Sequence, residues 1–137
     1  MEPQKIPVLV VDDNASFLEL LGEILVSADA RLAPHMVRTG TEAFAFLEHA
    51  PPFEHAPRPA FVILDFDLPD LDAVAVLRWL RSRQAFRTVP VLVVSQADWQ
   101  EEQRAAWDAG ATGFLVKPFA ISALRDAVLR FWWEHVT

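Results

Sequence analysis

The sequence has no cysteine, no long apolar run and no cluster of basic residues. Without cysteine, disulfide bonds and thiolate metal sites are excluded. Lysine and arginine number 12 against 19 acidic residues, and the formal net charge is −7, so we expect no direct binding of nucleic acid. No apolar run approaches the roughly 18 residues of a membrane span. The polar segment Met1–Pro7 has no signal-peptide core. We therefore predict no membrane contact and a cytoplasmic location.

The chain does contain enough apolar residues for one hydrophobic core. Hydrophobic residues make up 53% of its 137 residues, which is typical of a globular protein. We predict a single domain, residues 1–137, with its core at about 8–131. Four prolines between residues 50 and 59 forbid a regular element there. We interpret that stretch as a surface loop and not as a domain boundary.

Short apolar runs alternate with segments of helical periodicity along the chain. The runs predict strands 1, 3, 4 and 5 at Val8–Val11, Ala60–Leu64, Val91–Val94 and Gly113–Val116, with a weaker strand 2 at Ala33–Arg38. Thr41 is the expected cap of helix 2, helix 3 is expected to end near Arg83, and helix 4 is expected at Asp98–Asp108 before a stop at Gly110. Helix 5 carries Ile121, Leu124, Val128 and Phe131 on one face. This alternation predicts an α/β fold, a doubly wound parallel sheet covered on both faces.

Polar residues follow four of the predicted strands. They are Asp12 and Asp13 after strand 1, Asp65 after strand 3, Ser95 after strand 4 and Lys117 after strand 5. The carboxyl ends of parallel strands share one edge of a sheet, so we expect these side chains to converge. Three converging carboxylates repel one another, and Mg²⁺, which prefers oxygen ligands, would relieve that repulsion. With a hydroxyl donor and a positive charge beside them, the set suits transfer of a phosphoryl group to a nucleophilic Asp65.

In these residues the chain resembles the receiver domains of two-component response regulators. The matching features are the Asp12–Asp13 pair, Asp65 followed four residues later by Pro69, Ser95 after strand 4, Lys117–Pro118 after strand 5, and Gly110–Ala111 before Phe114. The similarity covers about Val8–Phe131. It implies a flavodoxin-like (βα)5 sheet with strand order 2-1-3-4-5.

The resemblance also implies a reaction. Asp65 would accept a phosphoryl group from a sensor histidine kinase or a phosphotransfer protein. Beside Asp65, the Mg²⁺ site would comprise Asp13 as a direct ligand, Asp12 mostly through water, and Asp67 through its main-chain carbonyl. Lys117 and Ser95 would hold the phosphoryl oxygens.

A conformational switch is implied as well. The hydroxyl of Ser95 would move toward the phosphoryl group while the ring of Phe114 turns inward, and the Lys117–Pro118 bond would be cis. The output face would be helix 4, strand 5 and helix 5. We expect a stand-alone regulator that signals by protein contact and is not an enzyme.

The chain ends in three consecutive aromatic residues, Phe131, Trp132 and Trp133. One helix buries one face, so at least one of these rings is expected at the surface, where it would form an interface. The ending is similar to that of regulators that serve bacterial phytochrome kinases, and a homodimer through helix 5 is expected. The alternative is that the rings pack on the chain's own sheet.

Three positions depart from the family pattern. Gln96 stands where a small residue is usual, and its side chain would crowd the phosphoryl pocket. Asp67 adds a fourth carboxyl group near the metal. Ala73 stands where glycine is usual, at a cost of about 1 kcal/mol if the backbone there needs a positive φ.

Other interpretations of the same residues remain open. Gln96 and Asp67 favour a pseudo-receiver, a protein-binding module that is not phosphorylated. The Asp-x-Asp pattern also permits a metal-dependent phosphohydrolase with Asp65 as nucleophile and Asp67 as general acid. Taken singly, Asp12 and Asp13 would serve as helix caps, Lys117 as a surface charge, Ser95 as a strand-end hydroxyl and Phe114 as a core residue.

Overall fold

Five parallel strands form one sheet in this computed structural model, which describes residues 4–96, 99–117 and 120–137. The strands are β1 (Ile6–Val11), β2 (Leu32–Val37), β3 (Phe61–Asp65), β4 (Val91–Ser95) and β5 (Gly113–Val116). Their order is β2-β1-β3-β4-β5, and every pair of neighbours is parallel. The predicted fold class and strand order are therefore confirmed.

Helices follow the strands along the chain. They are α1 (Ala15–Ala28), α2 (Gly40–Glu48), α3 (Ala73–Ser82), α4 (Gln100–Ala109) and α5 (Ile121–Phe131), with a 3₁₀ turn at Gln84–Phe86 and a π-helical turn at Trp132–Val136. As predicted, α4 ends at Gly110, whose φ of 109° is a left-handed conformation that suits glycine. The predicted start of α4 at Asp98 and the Lys117–Pro118 bond lie outside the described residues.

Alternate residues of the strands face opposite sides of the sheet, and helices cover both sides. Leu9 and Val11 of β1 belong to a core shared with α2, α3 and α4, whereas Val8 and Val10 belong to a core shared with α1 and α5. Strands β3 and β4 are buried along their whole length, which explains their unbroken apolar sequences. Within the three described ranges, no helix is long and apolar enough to cross a membrane.

The start of α2 differs from the prediction, because Thr39 and not Thr41 caps this helix. The hydroxyl of Thr39 accepts the main-chain N–H of Glu42 at 3.0 Å, in a Thr-x-x-Glu pattern that favours a helix start. Thr41 instead donates its hydroxyl to Asp70 at 2.6 Å. Asp70 also accepts the N–H groups of Gly40 and Thr41 at 2.8 and 2.9 Å. This aspartate therefore joins the β3–α3 loop to the amino end of α2.

Helix α3 begins at Ala73, the position where glycine was expected. Asp72 caps the helix by accepting the N–H of Val74 at 2.9 Å. In the described part of the chain, His49 is the one non-glycine residue with a positive φ. The expected backbone cost at Ala73 therefore does not arise.

Arg81 of α3 contacts the chain at the amino ends of β4 and β5, at the end of the sheet opposite the polar residues. Its guanidinium donates to the carbonyl oxygens of Phe86, Val89 and Gly110 at 2.9, 2.7 and 2.9 Å. These carbonyls shortly precede β4 and β5. One charged side chain thus fastens the amino ends of both strands, through hydrogen bonds that its charge strengthens.

Candidate functional site

Three carboxylates lie together at the carboxyl edge of the sheet. Asp12 and Asp13 follow β1, Asp65 ends β3, and these strands are neighbours in the sheet. One carboxylate oxygen from each aspartate lies within 4.8 Å of the other two. Asp12 and Asp65 are each only 2% exposed, whereas Asp13 is exposed. The structure therefore brings together three of the predicted residues.

Main-chain N–H groups orient the two buried carboxylates. Asn14 donates its N–H to Oδ1 of Asp12 at 2.9 Å. In the same way, Asp67 donates its N–H to Oδ1 of Asp65 at 3.0 Å. Each carboxylate is thus held by the residue two positions later in its own loop, a local turn that aspartate favours.

Lys117 follows β5 and reaches Asp12 across the edge of the sheet. Its Nζ lies 3.0 Å from Oδ2 of Asp12, and the two side chains are 15% and 2% exposed. The same Nζ lies 4.4 Å from the centre of the Phe17 ring, which is a cation–π contact. Lys117 is therefore a largely buried counter-charge and not a solvated surface group.

Asp65 has unfavourable surroundings for a negative charge. Burial is the main reason that its pKa is raised from 3.8 to about 6, an effect that the N–H of Asp67 partly opposes. The charge of Asp12 raises this pKa further, Lys117 lowers it, and the charge of Asp67 raises it. A hard divalent cation fits this set, because the donors are carboxylate oxygens within reach of one another and their charge is only partly balanced.

Asp67 and Gln96, two residues that differ from the pattern expected from the sequence, contact each other. The main-chain N–H of Gln96 lies 3.4 Å from Oδ2 of Asp67 and donates to it. Asp67 is exposed, and its carboxylate is not part of the cluster formed by the three aspartates in the described ranges. Its role as a metal ligand through the main-chain carbonyl stays a prediction.

Ser95 ends β4 and is fully buried, at 0% exposed. Its hydroxyl donates to a carboxylate oxygen of Glu102 in α4 at 3.0 Å. Asp65 lies beside Val94 on the neighbouring strand, and Ser95 is the residue after Val94. The hydroxyl thus joins the polar edge of the sheet to α4.

The sequence profile of the response regulator receiver domain matches residues 8–129. The chain belongs to this family. This receiver is 28% identical to the response regulator Rcp1 of Synechocystis sp. over 138 aligned positions, which cover 98% of this chain and 93% of Rcp1. The resemblance drawn from the sequence motifs is therefore confirmed.

Solved structures of other response regulators are similar to this receiver over nearly its whole length. The phosphorylated cyanobacterial phytochrome response regulator RcpA has a TM-score of 0.87 at 26% identity, with 97% of each chain covered. The Mn²⁺-bound form of Rcp1 has a TM-score of 0.85 at 27% identity, with 98% of each chain covered. RPA3017, a response regulator in red light signalling of R. palustris, has a TM-score of 0.85 at 27% identity, with 96% of each chain covered.

Phe114 lies in β5, on the side of the receiver sheet that α4 covers. Its ring packs edge-on against Phe66, the residue after Asp65, with ring centres 6.4 Å apart. In the sheet Phe114 lies beside Val93, two residues before Ser95. The two predicted switch residues are therefore on adjacent strands, and their switching role stays a prediction.

The aromatic residues at the end of α5 divide into two groups. Phe131 and Trp132 are each 5% exposed, and the ring centre of each lies 5.9 Å from that of Phe61. Trp133 is 69% exposed. Consecutive residues of a helical segment point in different directions, so two rings complete the receiver's own core. Phe131 and Trp132 are therefore not available for the interface that was predicted at all three residues, and a role of Trp133 in an interface stays a prediction.

Three residues that contact the receiver site were not assigned to it from the sequence: Phe17, Arg38 and Glu102. Arg38 follows β2, and its guanidinium donates to the main-chain carbonyl of Asp13 at 2.8 Å. Its position as the last residue of the predicted strand 2 was a signal that it lies at the polar edge. Phe17 and Glu102 carried no such signal, because their contacts depend on how α1 and α4 pack on the sheet.

Proposed function

We propose that this receiver accepts a phosphoryl group on Asp65 from a sensor histidine kinase or a phosphotransfer protein, in a reaction that requires Mg²⁺. The observation that carries the proposal is the arrangement around Asp65. This buried carboxylate has oxygens of two other aspartates within 4.8 Å, and Lys117 is paired with one of them at 3.0 Å. Membership of the receiver family supports the same role.

The chemistry requires little of the protein beyond placement and charge. An oxygen of Asp65 would bond to phosphorus while the phosphorus–nitrogen bond to the donor histidine breaks, and the electron pair stays on the imidazole. Asp65 must be ionised for this attack, and its pKa of about 6 leaves it mostly ionised at neutral pH. Lys117 and Ser95 would then bind the phosphoryl oxygens through an ammonium and a hydroxyl donor.

We propose that the carboxylates of Asp12, Asp13 and Asp65 and the main-chain carbonyl of Asp67 hold Mg²⁺. The cation would supply positive charge that balances the carboxylates and the incoming phosphoryl oxygens. The oxygen-only donor set supports a hard cation of this kind. A divalent metal is also present in the Mn²⁺-bound structure of Rcp1.

The kinase that we propose is of the phytochrome type. The support comes from the relatives, because RcpA is a phytochrome response regulator and RPA3017 acts in red light signalling. We also propose a cytoplasmic regulator whose output face is α4, β5 and α5, with a homodimer through α5. Ile121 at the start of α5 and Trp133 in the turn after it, at 60% and 69% exposed, support an apolar contact here.

The experiment is intact mass measurement after incubation with acetyl phosphate and Mg²⁺. We expect one phosphoryl adduct on the wild type and none on Asp65→Asn or in EDTA. Asp70→Asn is the matched control, since it makes the same substitution five residues later, at an exposed residue outside the acidic cluster. It should retain the adduct. An adduct that persists in Asp65→Asn would contradict the proposal.

The second candidate is a pseudo-receiver that binds proteins without being phosphorylated. The hydrogen bond from the main-chain N–H of Gln96 to Asp67 favours it. An N–H has one proton to donate, so this group, next to Ser95, is not free to donate to a phosphoryl group on Asp65. Absence of an adduct on the wild type, with Mg²⁺ still bound, would support this candidate. Appearance of the adduct in Asp67→Ala would then identify the Asp67 contact as the cause.

A further inference from the structure

We propose that Glu102 is a positioning residue that holds the hydroxyl of Ser95 toward α4 and competes with a phosphoryl group on Asp65 for that hydroxyl. Glu102 would thereby set how readily the receiver enters its phosphorylated conformation. The inference rests on the proposed function, since it requires a phosphoryl group on Asp65.

The first support is the geometry of the pair. Oγ of Ser95 lies 3.0 Å from Oε2 of Glu102. Ser95 is fully buried, and Glu102 is only partly exposed. Water therefore competes weakly for this contact, and a hydrogen bond to an ionised partner is stronger than one between neutral groups.

The second support is the number of protons available. A serine hydroxyl has one proton to donate, whereas a carboxylate and a phosphoryl group at neutral pH offer acceptor oxygens. Ser95 therefore cannot donate to Glu102 and to the phosphoryl group at the same time. Phosphorylation must replace the first hydrogen bond with the second, and the loss of the first opposes the change.

The third support is the place of Glu102 in the fold. It lies in the first turn of α4, and Ser95 ends β4. When the hydroxyl leaves Glu102, its carboxylate loses a donor that joined α4 to the sheet. Competition for one proton therefore couples the chemistry at Asp65 to α4.

Alanine substitution at Glu102 is the direct test, with Glu101→Ala as the matched control. Glu101 lies one residue earlier in α4 with the same charge, and it is exposed. The probe is beryllofluoride with Mg²⁺, a phosphoryl mimic whose dissociation constant can be titrated, together with the acetyl phosphate time course. We expect Glu102→Ala to bind the probe about tenfold more tightly, as for the loss of one competing charge-assisted hydrogen bond.

Two further variants separate the proposed role from a merely structural one. Glu102→Gln keeps the shape and an acceptor oxygen but not the charge, so we expect an effect of about threefold. In a Ser95→Ala background, Glu102→Ala should have no effect on probe affinity, because Glu102 acts through the hydroxyl. If Glu102→Ala fails to fold, Glu102→Gln still tests the inference.

The outcomes distinguish this inference from the proposed function. Equal affinities in Glu102→Ala, Glu102→Gln and Glu101→Ala would overturn the role of Glu102, as would an effect of Glu102→Ala that persists without the Ser95 hydroxyl. In either case phosphorylation of the wild type at Asp65 would leave the proposed function intact. A wild type that takes neither the probe nor the phosphoryl group would overturn the proposed function itself.

Discussion

Asparagine at position 65 should make the metal-free receiver more stable at neutral pH while it abolishes phosphorylation. Asp65 is buried beside other carboxylates, and its pKa is raised to about 6. Its charge therefore destabilises the folded state, whereas asparagine has nearly the same shape and no charge. A site that brings like charges together is destabilised by their repulsion. Removal of one of these charges is therefore expected to stabilise the folded protein.

The size of this gain follows from the pKa. The folded state binds the proton of Asp65 more tightly than the unfolded chain, whose pKa is near 3.8. That contribution to stability is complete below about pH 3.8 and is lost as the pH rises through about 6. A pKa difference of about 2 corresponds to about 3 kcal/mol. The neighbouring Asp13 and Asp67 are exposed, so solvent screens part of the charge repulsion and reduces the expected gain to about 1–2 kcal/mol.

Urea unfolding in EDTA at several pH values between about 4 and 8 measures the effect. We expect Asp65→Asn to exceed the wild type by about 1–2 kcal/mol at pH 8 and to match it near pH 4. Asp70→Asn should instead lose about 1 kcal/mol at pH 8, because Asp70 uses both carboxylate oxygens as acceptors and asparagine has one. A gain in Asp65→Asn that does not change with pH, or no gain at pH 8, would refute this reasoning.

Three further substitutions test the ion pair and the two tryptophans that follow α5. Lys117→Gln leaves Asp12 without its buried partner, so urea unfolding without metal should show a loss of about 2 kcal/mol. Titration calorimetry should show Mg²⁺ binding severalfold more tightly to that variant, because one positive charge has left the site. Trp132→Ala should cost about 3 kcal/mol as a core truncation. Trp133→Ala should cost less than about 0.5 kcal/mol and weaken the proposed homodimer in sedimentation. Equal stability losses at the two tryptophans would contradict their assignment.

The fold and the central carboxylates were predictable because they depend on the order of elements alone. Unbroken apolar runs located the strands, and parallel strands place the residues after them at one edge. Asp12, Asp13 and Asp65 therefore had to meet, whatever the helices did. The same argument placed Lys117 at the edge but did not identify Asp12 as its partner.

Contacts that depend on the rotation of a helix were not predictable. Glu102 reaches Ser95 only because α4 turns that side of its first turn toward β4. The sequence likewise left open which of the rings at positions 131–133 would be buried, since the helix gives way to a π-helical turn at Trp132. The cap of α2 was misplaced because Thr39 and Thr41 are both good capping residues, and the choice depends on Asp70, which is distant in sequence.

The guanidinium of Arg81 has a consequence for how this receiver can move. It anchors the chain ahead of β4 and β5 to α3 at one end of the sheet, while Ser95 lies at the other end of β4. Both strands are therefore held at their amino ends, and we expect displacements to be larger toward their carboxyl ends. A rearrangement at Ser95 would therefore be accommodated more easily at this end of β4, beside α4, than at the end that Arg81 anchors.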